Sequence, residues 1–566
     1  MLNTKMTMAE ALRQVADSGP DQEALVCDDV RVTYGRLSAR VEALARNLHE
    51  LGLSREDKAV ALLPPGPEFV YLFFAVARLG AVIVPLNPQL RPRRLSGVLR
   101  DAEPVLLVAS RSIEDGVLRR ATSLRHVILV GEAVEEGEEP SLADLMISPA
   151  SSAVERSKAE GPALNGIDAS PDDLLALLYT SGTTGMPKGA MHSHRSLIAP
   201  VAATLKVREL WKRPSFKMLG QQIKALARYR ERLLRAAGGP QTLLSTTGWH
   251  TITGLEVMLQ ALLMGDRLVV MPHFHPRRAL ELVEREQVTV LVAVPMAYQV
   301  MLRLEGFDDY DTSSLIVCGT GAAPCPPHLA REIEDRFGCA AYIGFGATET
   351  GGGIAVSSLA DSDERRTETV GRPLLETEVK IVDEQGCELP PGQVGELVCR
   401  SDGVMMGYYQ APEMTAEVMD EEGWYHTGDL AVMDEDGYLR IVGRKKDMII
   451  RGGQNIYPVE IEDHLTAHPS IREAAVVGVP SAVGGESAWA FVILEEGAAM
   501  TPHEVKSYCR KALEPYKIPG EVRFVADFPR SEAGEPQKFK LRTKALREER
   551  GNQHNDGNIG RESDTF

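Results

Sequence analysis

Hydrophobic and polar positions follow helix-like and strand-like periods in turn along the first two thirds of the chain. From Tyr34 to Leu51, apolar residues recur every three or four positions, which predicts an amphipathic helix. A longer apolar run predicts a second helix at Glu68–Leu79. Shorter apolar runs predict six strands, at Lys58–Leu63, Ala81–Pro85, Pro104–Ala109, His126–Val130, Arg267–Met271 and Val288–Val294. Strands that alternate with helices indicate parallel sheets covered by helices on both faces.

The pattern changes from about Glu376 onward. Shorter, turn-bounded strands at Glu378–Val382, Glu396–Arg400 and Gly437–Val442 predict a small β-barrel-like subdomain. After a charged turn, the last part of the chain alternates between predicted helices and strands, at Val459–Ala467, Ala474–Val479, Ser487–Leu494 and Pro502–Leu513. We therefore predict an α/β protein with an N-terminal domain over 1–443, a linker at 444–447, an α+β domain over 448–550 and a disordered polar tail over 551–566.

Composition narrows the class of protein. The 566 residues are 44% hydrophobic and 25% charged, which is typical of a globular protein. The net charge of −18 argues against a nucleic-acid binder held by overall charge. Seven scattered cysteines without a CxxC pair, and an N-terminus without an apolar signal region, favour a cytoplasmic location. The longest apolar stretch, Tyr71–Leu86, is interrupted by Arg78 and is too short to span a membrane.

One segment is strongly basic. Between Lys206 and Arg235 the chain carries ten Lys or Arg residues and only two acidic ones, Glu209 and Glu231. A solvated helical face is the favoured interpretation. Weak contact with an anionic membrane surface is the alternative, because basic amphipathic helices bind such surfaces.

The strongest chemical signal is the run Tyr179–Gly189, which reads YTSGTTGMPKG and follows the apolar strand Leu174–Leu178. Its glycines allow the backbone to approach a ligand closely, and its hydroxyl groups and Lys188 can bind phosphate oxygens. The run lacks the Gly-Lys-Ser/Thr order of a Walker A loop, because Pro187 precedes the lysine. It predicts a loop that holds polyphosphate.

Three further motifs follow in order. Tyr342–Thr350 (YIGFGATET) presents Thr348 and Glu349, which can bind a phosphate oxygen and Mg²⁺. Trp424–Leu430 offers Asp429, an acidic group that can accept hydrogen bonds from ribose hydroxyls. The last motif runs from Gly437 through Arg444 to Asp447 and continues to Glu462.

Together these motifs resemble the acyl-adenylate-forming superfamily, which includes acyl- and aryl-CoA ligases, peptide-synthetase adenylation domains and firefly luciferases. The resemblance covers residues 20–545 and is nearest to bacterial carboxylate–CoA ligases. It implies two half-reactions: a carboxylic acid and Mg-ATP give an acyl-adenylate and pyrophosphate, and coenzyme A then displaces AMP after the C-terminal module rotates. Its implied substrates and cofactors are a small-molecule carboxylic acid, ATP, Mg²⁺ and CoA.

The resemblance also implies roles for individual residues. The phosphate grip is assigned to Thr180, Ser181, Gly182, Thr183, Thr184, Gly185, Lys188 and Thr348, and the Mg²⁺ contact to Glu349. The remaining adenosine contacts are assigned to Gly321, Ala322, Ala323, Phe345, Gly346, Asp429 and Arg444. The acyl pocket is assigned to Trp249, His250, Cys318 and Gly344, the CoA channel to Arg451, Gly452 and Gly453, and the hinge to Lys446. A metal site at His192/His194 or His273/His275 is disfavoured, because no other metal ligands accompany these pairs.

The chain departs from the family pattern at one catalytic position. The resemblance implies a lysine there, which reaches the carboxylate and the α-phosphate, but the matching residue is Glu535. A glutamate would add a third anion where two already meet, and like charges ~4 Å apart repel by about 4 kcal/mol at an effective dielectric of ~20. Lys538 is too far along an extended loop to replace it. Alternatively, this loop is mobile and Glu535 points to solvent.

Three functional interpretations remain open. The favoured one is an AMP-forming ligase that joins a fatty, aromatic or alicyclic acid to CoA, with fatty acids as the first expectation. The second is a binding or thioesterification-only protein, whose adenylation step is impaired by Glu535. The third is a ligase that loads a carrier protein in trans. Release of pyrophosphate separates the second from the others, and CoA dependence separates the third from the first.

Overall fold

The computed structural model describes residues 2–130, 142, 169–180, 188–212, 239–481, 485–531 and 534–559. Within these ranges, two mainly parallel sheets flanked by helices are followed by a small antiparallel sheet and a C-terminal sheet. The predicted α/β class, with a large N-terminal part and an α+β C-terminal part, is confirmed.

A seven-stranded sheet is built from the first half of the chain, in the order β18-β8-β7-β4-β3-β5-β6. Its strands are β3 Lys58–Leu62, β4 Val82–Pro85, β5 Leu106–Ala109, β6 His126–Leu129, β7 Leu174–Thr180, β8 Lys188–Ser193 and β18 Gly407–Tyr408. The strands from β3 to β7 run parallel, whereas β8 and β18 form an antiparallel edge.

A nine-stranded sheet has the order β15-β14-β13-β12-β11-β9-β10-β1-β2. Its strands are β1 Glu23–Cys27, β2 Val30–Thr33, β9 Thr242–Ser245, β10 Arg267–Val270, β11 Val290–Val292, β12 Val317–Thr320, β13 Ala340–Ala347, β14 Gly352–Val356 and β15 Arg372–Pro373. The central strands are parallel, and the strands at both edges are antiparallel. The predicted parallel arrangement is confirmed for the central strands, and the edge strands are antiparallel additions to it.

Helices cover these sheets. In the N-terminal part they are Met8–Ser18, Tyr34–Glu50, Pro67–Arg78, Pro92–Ala102, Asp115–Leu118, His194–Lys212, Ile252–Met264, Pro276–Arg285, Pro295–Leu302, Pro327–Phe337, Asp363–Glu368 and Pro412–Ala416. The helix Pro67–Arg78 is buried on nearly all sides, including the rings of Phe69, Phe73 and Phe74. A helix that is apolar all round belongs in a core, and this one lies in the largest apolar cluster.

A buried ion pair connects two helices next to β13. The guanidinium of Arg366, which is 1% exposed, donates to both carboxylate oxygens of Glu334 at 2.7 and 3.1 Å. Removing one partner of a buried pair leaves an uncompensated charge.

We expect Arg366→Met to lower the free energy of unfolding by about 3–5 kcal/mol, measured by denaturant titration. Arg331→Met removes an exposed partner of Glu368 and should cost less than about 1 kcal/mol; equal losses would contradict this account.

A second buried polar contact holds the N-terminal helix. The ring nitrogen Nδ1 of His194 accepts a hydrogen bond from the backbone N–H of Met8 at 3.1 Å, and burial lowers the pKa of His194 to about 4. The unfolded chain binds a proton near pH 6.5, so this histidine costs stability as the pH falls from 6.5 toward 4.

We expect the non-titrating variant His194→Asn, whose amide oxygen can replace Nδ1, to flatten this dependence. Between pH 7 and pH 5, the wild type should lose about 2 kcal/mol more unfolding free energy than the variant. Denaturant titrations at the two pH values measure the difference. Parallel pH profiles for the two proteins would show that His194 is not the responsible group.

The small antiparallel sheet follows, in the order β16-β17-β19-β20, with strands β16 Glu378–Val382, β17 Val394–Arg400, β19 Tyr425–Met433 and β20 Leu439–Arg444. Among the described residues, β20 does not pair with β16, so this sheet is open and the expected barrel-like closure is not observed. A short 3-10 turn, Lys445–Asp447, connects β20 to the C-terminal part. It coincides with the predicted hinge, and the domain boundaries themselves stay a prediction.

The C-terminal part contains the order β22-β21-β24-β23, with β25 beside β24. Its elements are β21 Ile449–Arg451, β22 Gln454–Ile456, helix Pro458–Thr466, β23 Ile471–Ser481, β24 Gly485–Leu494, helix Pro502–Cys509, β25 Glu521–Phe524 and helix Lys538–Ile559. The last helix is described through Ile559, and the predicted disordered tail over 551–566 stays a prediction. Residues 560–566 lie outside the described part.

Candidate active site

The phosphate-binding run connects the two strands of a hairpin. Strand β7 ends at Thr180 and β8 begins at Lys188, and these two residues are direct partners across the antiparallel pair. The structure therefore holds both ends of the predicted loop together. Five residues predicted to grip phosphate fall between them, outside the described ranges: Ser181, Gly182, Thr183, Thr184 and Gly185.

Lys188, Tyr408 and Glu349 form a connected series of contacts. The ammonium group of Lys188 lies 5.1 Å from the ring centre of Tyr408, whose hydroxyl donates to Oε1 of Glu349 at 2.7 Å. Strand β18 pairs with β8 and thereby brings Tyr408 beside the lysine. The arrangement connects the predicted phosphate lysine to the predicted magnesium ligand, and it leaves the other carboxylate oxygen of Glu349 for a further ligand.

His192 positions the turn that carries Thr348 and Glu349. Lys188 and His192 share one face of β8, because side chains alternate along a strand. Nε2 of His192 lies 2.8 Å from the carbonyl oxygen of Thr348, and its other ring nitrogen contacts Ser196. Burial lowers the pKa of His192 to about 4, so the ring is neutral near pH 7. The fully buried His192 thus has a positioning role, and its hydrogen bonds differ from those of a metal ligand.

The ends of β12 and β13 lie close together. A Cβ atom on Gly321 would lie 3.0 Å from the carbonyl oxygen of Gly344, so the absence of a side chain permits this approach. Ala322 adopts a left-handed conformation with φ +62° and is exposed, and Ala323 is half-buried beside it. Further along β13, the predicted site residues Phe345 and Gly346 are also half-buried. The structure brings these predicted adenosine contacts to one edge.

Asp429 and Arg444 are direct partners across β19 and β20, with Nε of Arg444 3.5 Å from Oδ1 of Asp429. Burial raises the pKa of Asp429 to about 6, with a smaller increase from Glu535, while Arg444 and Lys446 act in the opposite direction. The predicted ribose ligands are therefore adjacent, and Arg444 remains half-exposed at the edge of the sheet.

Glu535 lies at this same place. Its carboxylate is 4.0 Å from Nη2 of Arg444 and is 25% exposed. The Ser531 hydroxyl accepts a hydrogen bond from the Glu535 backbone N–H, and the Ser531 N–H donates to the Glu535 carbonyl. A Cβ on Gly534 would lie 3.5 Å from the Met296 thioether, which places the loop against the N-terminal part. In this structure Glu535 is partly exposed and faces Arg444, and the effect of its charge on adenylation stays a prediction.

The predicted hinge and CoA residues occupy different surroundings. The Lys446 side chain keeps much of its surface in contact with solvent, but partial desolvation of its ammonium group, together with the nearby Arg444, lowers its pKa. Gly452 and Gly453 form an exposed turn with φ +60° and +78°, which non-glycine residues rarely adopt. Arg451 donates to the carbonyl oxygens of Tyr516 and Ile518 within the C-terminal part.

Two predicted acyl-pocket residues are buried among apolar side chains. The Trp249 ring packs edge-on against Phe69 at 5.4 Å, and Cys318 is fully buried with its sulfur 3.3 Å from that of Cys339. Their assignment to the acyl pocket stays a prediction. His250 is half-buried, and its imidazole folds back toward Gly248, where an added Cβ would lie 2.5 Å from the ring.

The AMP-binding enzyme family matches residues 12–409, and the AMP-binding enzyme C-terminal domain matches residues 460–535. The first match alone covers more than half of the chain. The chain belongs to the AMP-binding enzyme family. The junction between its two matched regions contains Arg444 and the predicted hinge, and Glu535 is the last residue of the C-terminal match.

Individual relatives agree with this membership. Feruloyl-CoA synthase of Amycolatopsis sp is 32% identical, over 93% of this chain and 96% of its own length. Human mitochondrial medium-chain acyl-CoA ligase ACSF2 is 31% identical, over 96% of this chain and 88% of its own. The crystal structure of ATP-bound MatB from Rhodopseudomonas palustris is similar with a TM-score of 0.76 and 29% identity, over 95% of this chain and 99% of that chain.

The donor chemistry of this AMP-binding enzyme fits a magnesium nucleotide at Glu349. Mg²⁺ prefers oxygen ligands and is commonly bound through one or two carboxylates together with substrate phosphates. Glu349 supplies a carboxylate oriented by Tyr408, and Lys188 supplies a cation on the same side. Within the described ranges, no group of three or more His, Cys, Asp or Glu side chains is arranged to hold a metal ion.

Sequence analysis missed Tyr408 and the role of His192. Tyr408 lies in the stretch MMGYYQ, where two adjacent tyrosines interrupt an otherwise unremarkable loop, and nothing in that pattern connects it to Glu349. His192 was considered as one of a metal-binding pair. Its actual contact, to a main-chain carbonyl of another motif, depends on how β8 packs against β13–β14 and has no sequence signature.

The basic segment is only partly visible, because 213–238 lie outside the described residues. At its start, Lys206 pairs with Glu376, and Arg208 pairs with Asp266 at 2.6 Å. Asp266 is buried, so Arg208 fixes its helix to the start of β10. None of the described helices combines the length and apolar character needed to cross a bilayer.

Proposed function

We propose that this protein is an AMP-forming carboxylate–CoA ligase. The acid is first activated by ATP as an acyl-adenylate, with release of pyrophosphate, and the thiol of coenzyme A then takes the acyl group and releases AMP. Its acyl-CoA ligase relatives and its likeness to an ATP-bound enzyme support this assignment.

One observation carries the proposal. The Asp429–Arg444 pair can bind ribose, and the Lys188–Tyr408–Glu349 series can bind polyphosphate. Against the lowering effect of burial, the carboxylates of Glu535, Asp429 and Glu349 all raise the pKa of Arg444, so the two groups of residues are near each other. Ribose-binding and phosphate-binding groups so placed match the two ends of a nucleoside triphosphate.

In the first half-reaction, a carboxylate oxygen of the acid attacks the α-phosphorus of ATP and pyrophosphate leaves. Thr180, Thr348 and Lys188 are assigned to the phosphate oxygens, while Asp429 and Arg444 hold the ribose. Bound Mg²⁺, held by Glu349, would neutralise phosphate charge. These residues contribute mainly by positioning the reactants and stabilising charge along an in-line displacement.

In the second half-reaction, the CoA thiol attacks the acyl carbonyl carbon and the bond to the AMP oxygen breaks. The glycines of the turn at Arg451, Gly452 and Gly453 are exposed, and Arg451 donates to the Tyr516 carbonyl oxygen within the C-terminal part. We therefore infer that the C-terminal part turns about Lys446 before CoA reacts. Such closing and reorienting steps are common in enzymes that carry out two reactions at one site.

A second candidate function is favoured by Glu535. Its contact with Arg444 places an anion beside the expected ribose and phosphate ligands, where the family pattern has a lysine. On this view, the protein binds nucleotide or acyl-adenylate and catalyses only the thioester step. The two candidates differ in acid-dependent release of pyrophosphate, which only the complete ligase performs.

The direct test supplies the purified full chain with ATP, Mg²⁺, CoA and a panel of fatty, aromatic and alicyclic acids, and identifies products by mass spectrometry. The proposal expects an acyl-CoA together with AMP. An acyl-adenylate that accumulates with CoA and is transferred only to a carrier protein would support the carrier-loading alternative. No acid-dependent AMP from any acid, but thioester formation from a supplied acyl-adenylate, would support the second candidate.

Asp429→Asn provides a matched test of the nucleotide site. Losing the charged acceptor should raise the KM for ATP by roughly 10–100-fold, because hydrogen bonds to charged groups contribute about 1.5–3 kcal/mol. The exposed Asp436→Asn, on the same sheet, should leave the KM unchanged. Equal ATP affinity in all three proteins would remove Asp429 from the site.

A further inference from the structure

An acidic residue that the reaction does not use lies behind strand β14. Glu256 occupies the second turn of the helix Ile252–Met264, where its nearest neighbours in sequence, Leu255 and Val257, are buried core residues. A carboxylate in such an apolar helix is costly unless it is bound or has a function. Glu256 is therefore a candidate for a specific role.

Its immediate contacts are polar but few. Oε2 accepts a hydrogen bond from the backbone N–H of Gly353 at 3.1 Å, and Oε1 accepts one from the Gln260 amide at 3.1 Å. Among the described residues, no Lys, Arg or His forms an ion pair with it. Burial raises the pKa of Glu256 to about 7, against the lowering effect of these two hydrogen bonds. Two carboxylate oxygens can accept about four hydrogen bonds, so acceptor capacity remains.

The helix face that carries Glu256 is only partly buried. Ile252, Glu256 and Gln260 are spaced by four residues and so share one face, and all three are only half-buried. The residues between Glu256 and Gln260 are fully covered. A half-buried stripe on an otherwise buried helix borders open space, and His250, the predicted acyl-pocket residue, lies just before this helix and is half-buried too.

Two glycines of strand β14 face the Glu256 carboxylate, and a third glycine, Gly344, lies on the adjacent strand β13. A Cβ on Gly353 would meet Oε1 of Glu256 at 3.7 Å, and one on Gly352 would lie 2.7 Å from the Glu256 carboxyl carbon. A Cβ on Gly344 would have no neighbour closer than 3.9 Å. The glycines therefore leave room at Gly344, while the Glu256 carboxylate occupies the volume that a side chain at position 352 would fill.

Glu256 lies close to strand β13, which carries residues assigned to the acyl-adenylate. Gly353 is the direct partner of Gly346 across the antiparallel pair β13–β14, and such partners lie roughly 4.5–5.5 Å apart. Since Gly346 belongs to the run that carries Thr348 and Glu349, the carboxylate of Glu256 is about one strand away from the backbone assigned to the acyl-adenylate. A long alkyl chain extending from the adenylate would meet the polar Glu256 carboxylate. The far end of a compact acid could instead lie next to that carboxylate.

We propose that Glu256 is a specificity-determining residue at the end of the acyl pocket, and that the preferred acid is compact and carries an O–H or N–H donor at the end away from its reacting carboxylate. The inference rests on the proposed function, since it takes the space beside Gly344 and Gly353 to hold the acyl group. It replaces the sequence-based expectation of a plain fatty acid with a hydroxyl- or amino-bearing one.

The test measures binding, so it does not depend on the rate of adenylation. Stable acyl-adenylate mimics are titrated calorimetrically into the full chain: benzoyl-sulfamoyladenosine against its 3- and 4-hydroxybenzoyl analogues, and hexanoyl against 6-hydroxyhexanoyl. The wild type should bind at least one hydroxyl-bearing mimic roughly tenfold or more tightly than its unsubstituted partner, and should bind the hydroxybenzoyl forms better than either hexanoyl form.

Two variants examine the carboxylate itself. Glu256→Gln keeps an acceptor for Gly353 and should reduce the hydroxyl preference by about tenfold, because a hydrogen bond to a neutral group is weaker than one to a charged group. Glu256→Leu should abolish or reverse the preference. The exposed Glu50→Gln, remote from the site, should preserve it.

The outcomes separate the two proposals. Tight binding of every mimic without a hydroxyl preference, or a preference unchanged in Glu256→Gln, would overturn the role of Glu256 and leave the ligase assignment standing. If none of the mimics bound at all, the proposed function itself would fail, and this inference with it. A preference that falls in both Glu256 variants, while Glu50→Gln behaves as the wild type, would establish the role.

Discussion

Glu535→Lys should accelerate acid-dependent pyrophosphate release by roughly 10²–10³-fold over the wild type, measured with saturating ATP and a reactive acid. A correctly placed cation that stabilises developing charge is commonly worth this factor. In the wild type, the Glu535 carboxylate lies 4.0 Å from Arg444, so we expect it to repel the reacting anions and to compete for that arginine. The substitution removes both effects and supplies the positive charge.

Two further variants separate the loss of the negative charge at position 535 from the gain of a positive charge. Glu535→Gln removes the negative charge without adding a positive one, and we expect an intermediate rate. Glu496→Lys introduces the same charge on an exposed part of the C-terminal module and should leave the rate unchanged. If Glu535→Lys folded normally and released pyrophosphate no faster than the wild type, Glu535 would not limit adenylation. The free energy of unfolding should change by less than about 1 kcal/mol, because the ion pair to Arg444 is partly exposed.

Glu349→Gln should lower the rate of adenylation by roughly 10²–10³-fold and raise the Mg²⁺ concentration needed for half-maximal rate. The carboxylate is the group that fits Mg²⁺, and a neutral amide is a weaker ligand for a hard cation. A magnesium titration of pyrophosphate release measures both changes. The variant should fold, because Tyr408 can donate its hydrogen bond to the amide oxygen.

Tyr408→Phe separates orientation from charge at the same place. It removes the 2.7 Å hydrogen bond to Glu349 and keeps the ring under Lys188, so we expect a loss of about tenfold. Glu384→Gln, on an exposed turn of the small sheet, is the control. Wild-type rate and magnesium dependence in Glu349→Gln would show that this carboxylate does not hold the metal.

Runs of apolar residues in the sequence predicted the positions of helices and strands well. The helix predicted at Glu68–Leu79 is observed at Pro67–Arg78, and the strands predicted around it lie within a residue or two of their observed bounds. Apolar runs of this kind are continuous along the chain, so they can be recognised without knowing the partner strand. Strand direction is different: β8 runs antiparallel because a hairpin returns it, and its apolar pattern alone does not contain that information.

The motifs indicate which segments of the chain form the site, but they do not indicate which way each side chain points. Asp429 and Arg444 meet because β19 and β20 are paired in one register, which a sequence motif does not specify. Trp249 and Cys318, which the motifs assign to the acyl pocket, are both buried, and their burial has no sign in the motifs themselves. Conversely, a charged residue within the apolar run ITGLEVMLQALLM was a visible signal of Glu256, and only its contact with Gly353 shows where it lies.

The acyl-adenylate intermediate is the central claim, and isotope transfer tests it most directly. The protein is supplied with a reactive acid that carries ¹⁸O in both carboxylate oxygens, with ATP, Mg²⁺ and CoA, and the AMP is analysed by mass spectrometry. Attack of a carboxylate oxygen on the α-phosphorus, followed by cleavage of the acyl–oxygen bond, leaves one labelled oxygen on AMP. We predict one ¹⁸O in the AMP and one in the thioester. AMP without the label, or a label found in the phosphate released with ADP, would contradict an acyl-adenylate and with it the proposed function.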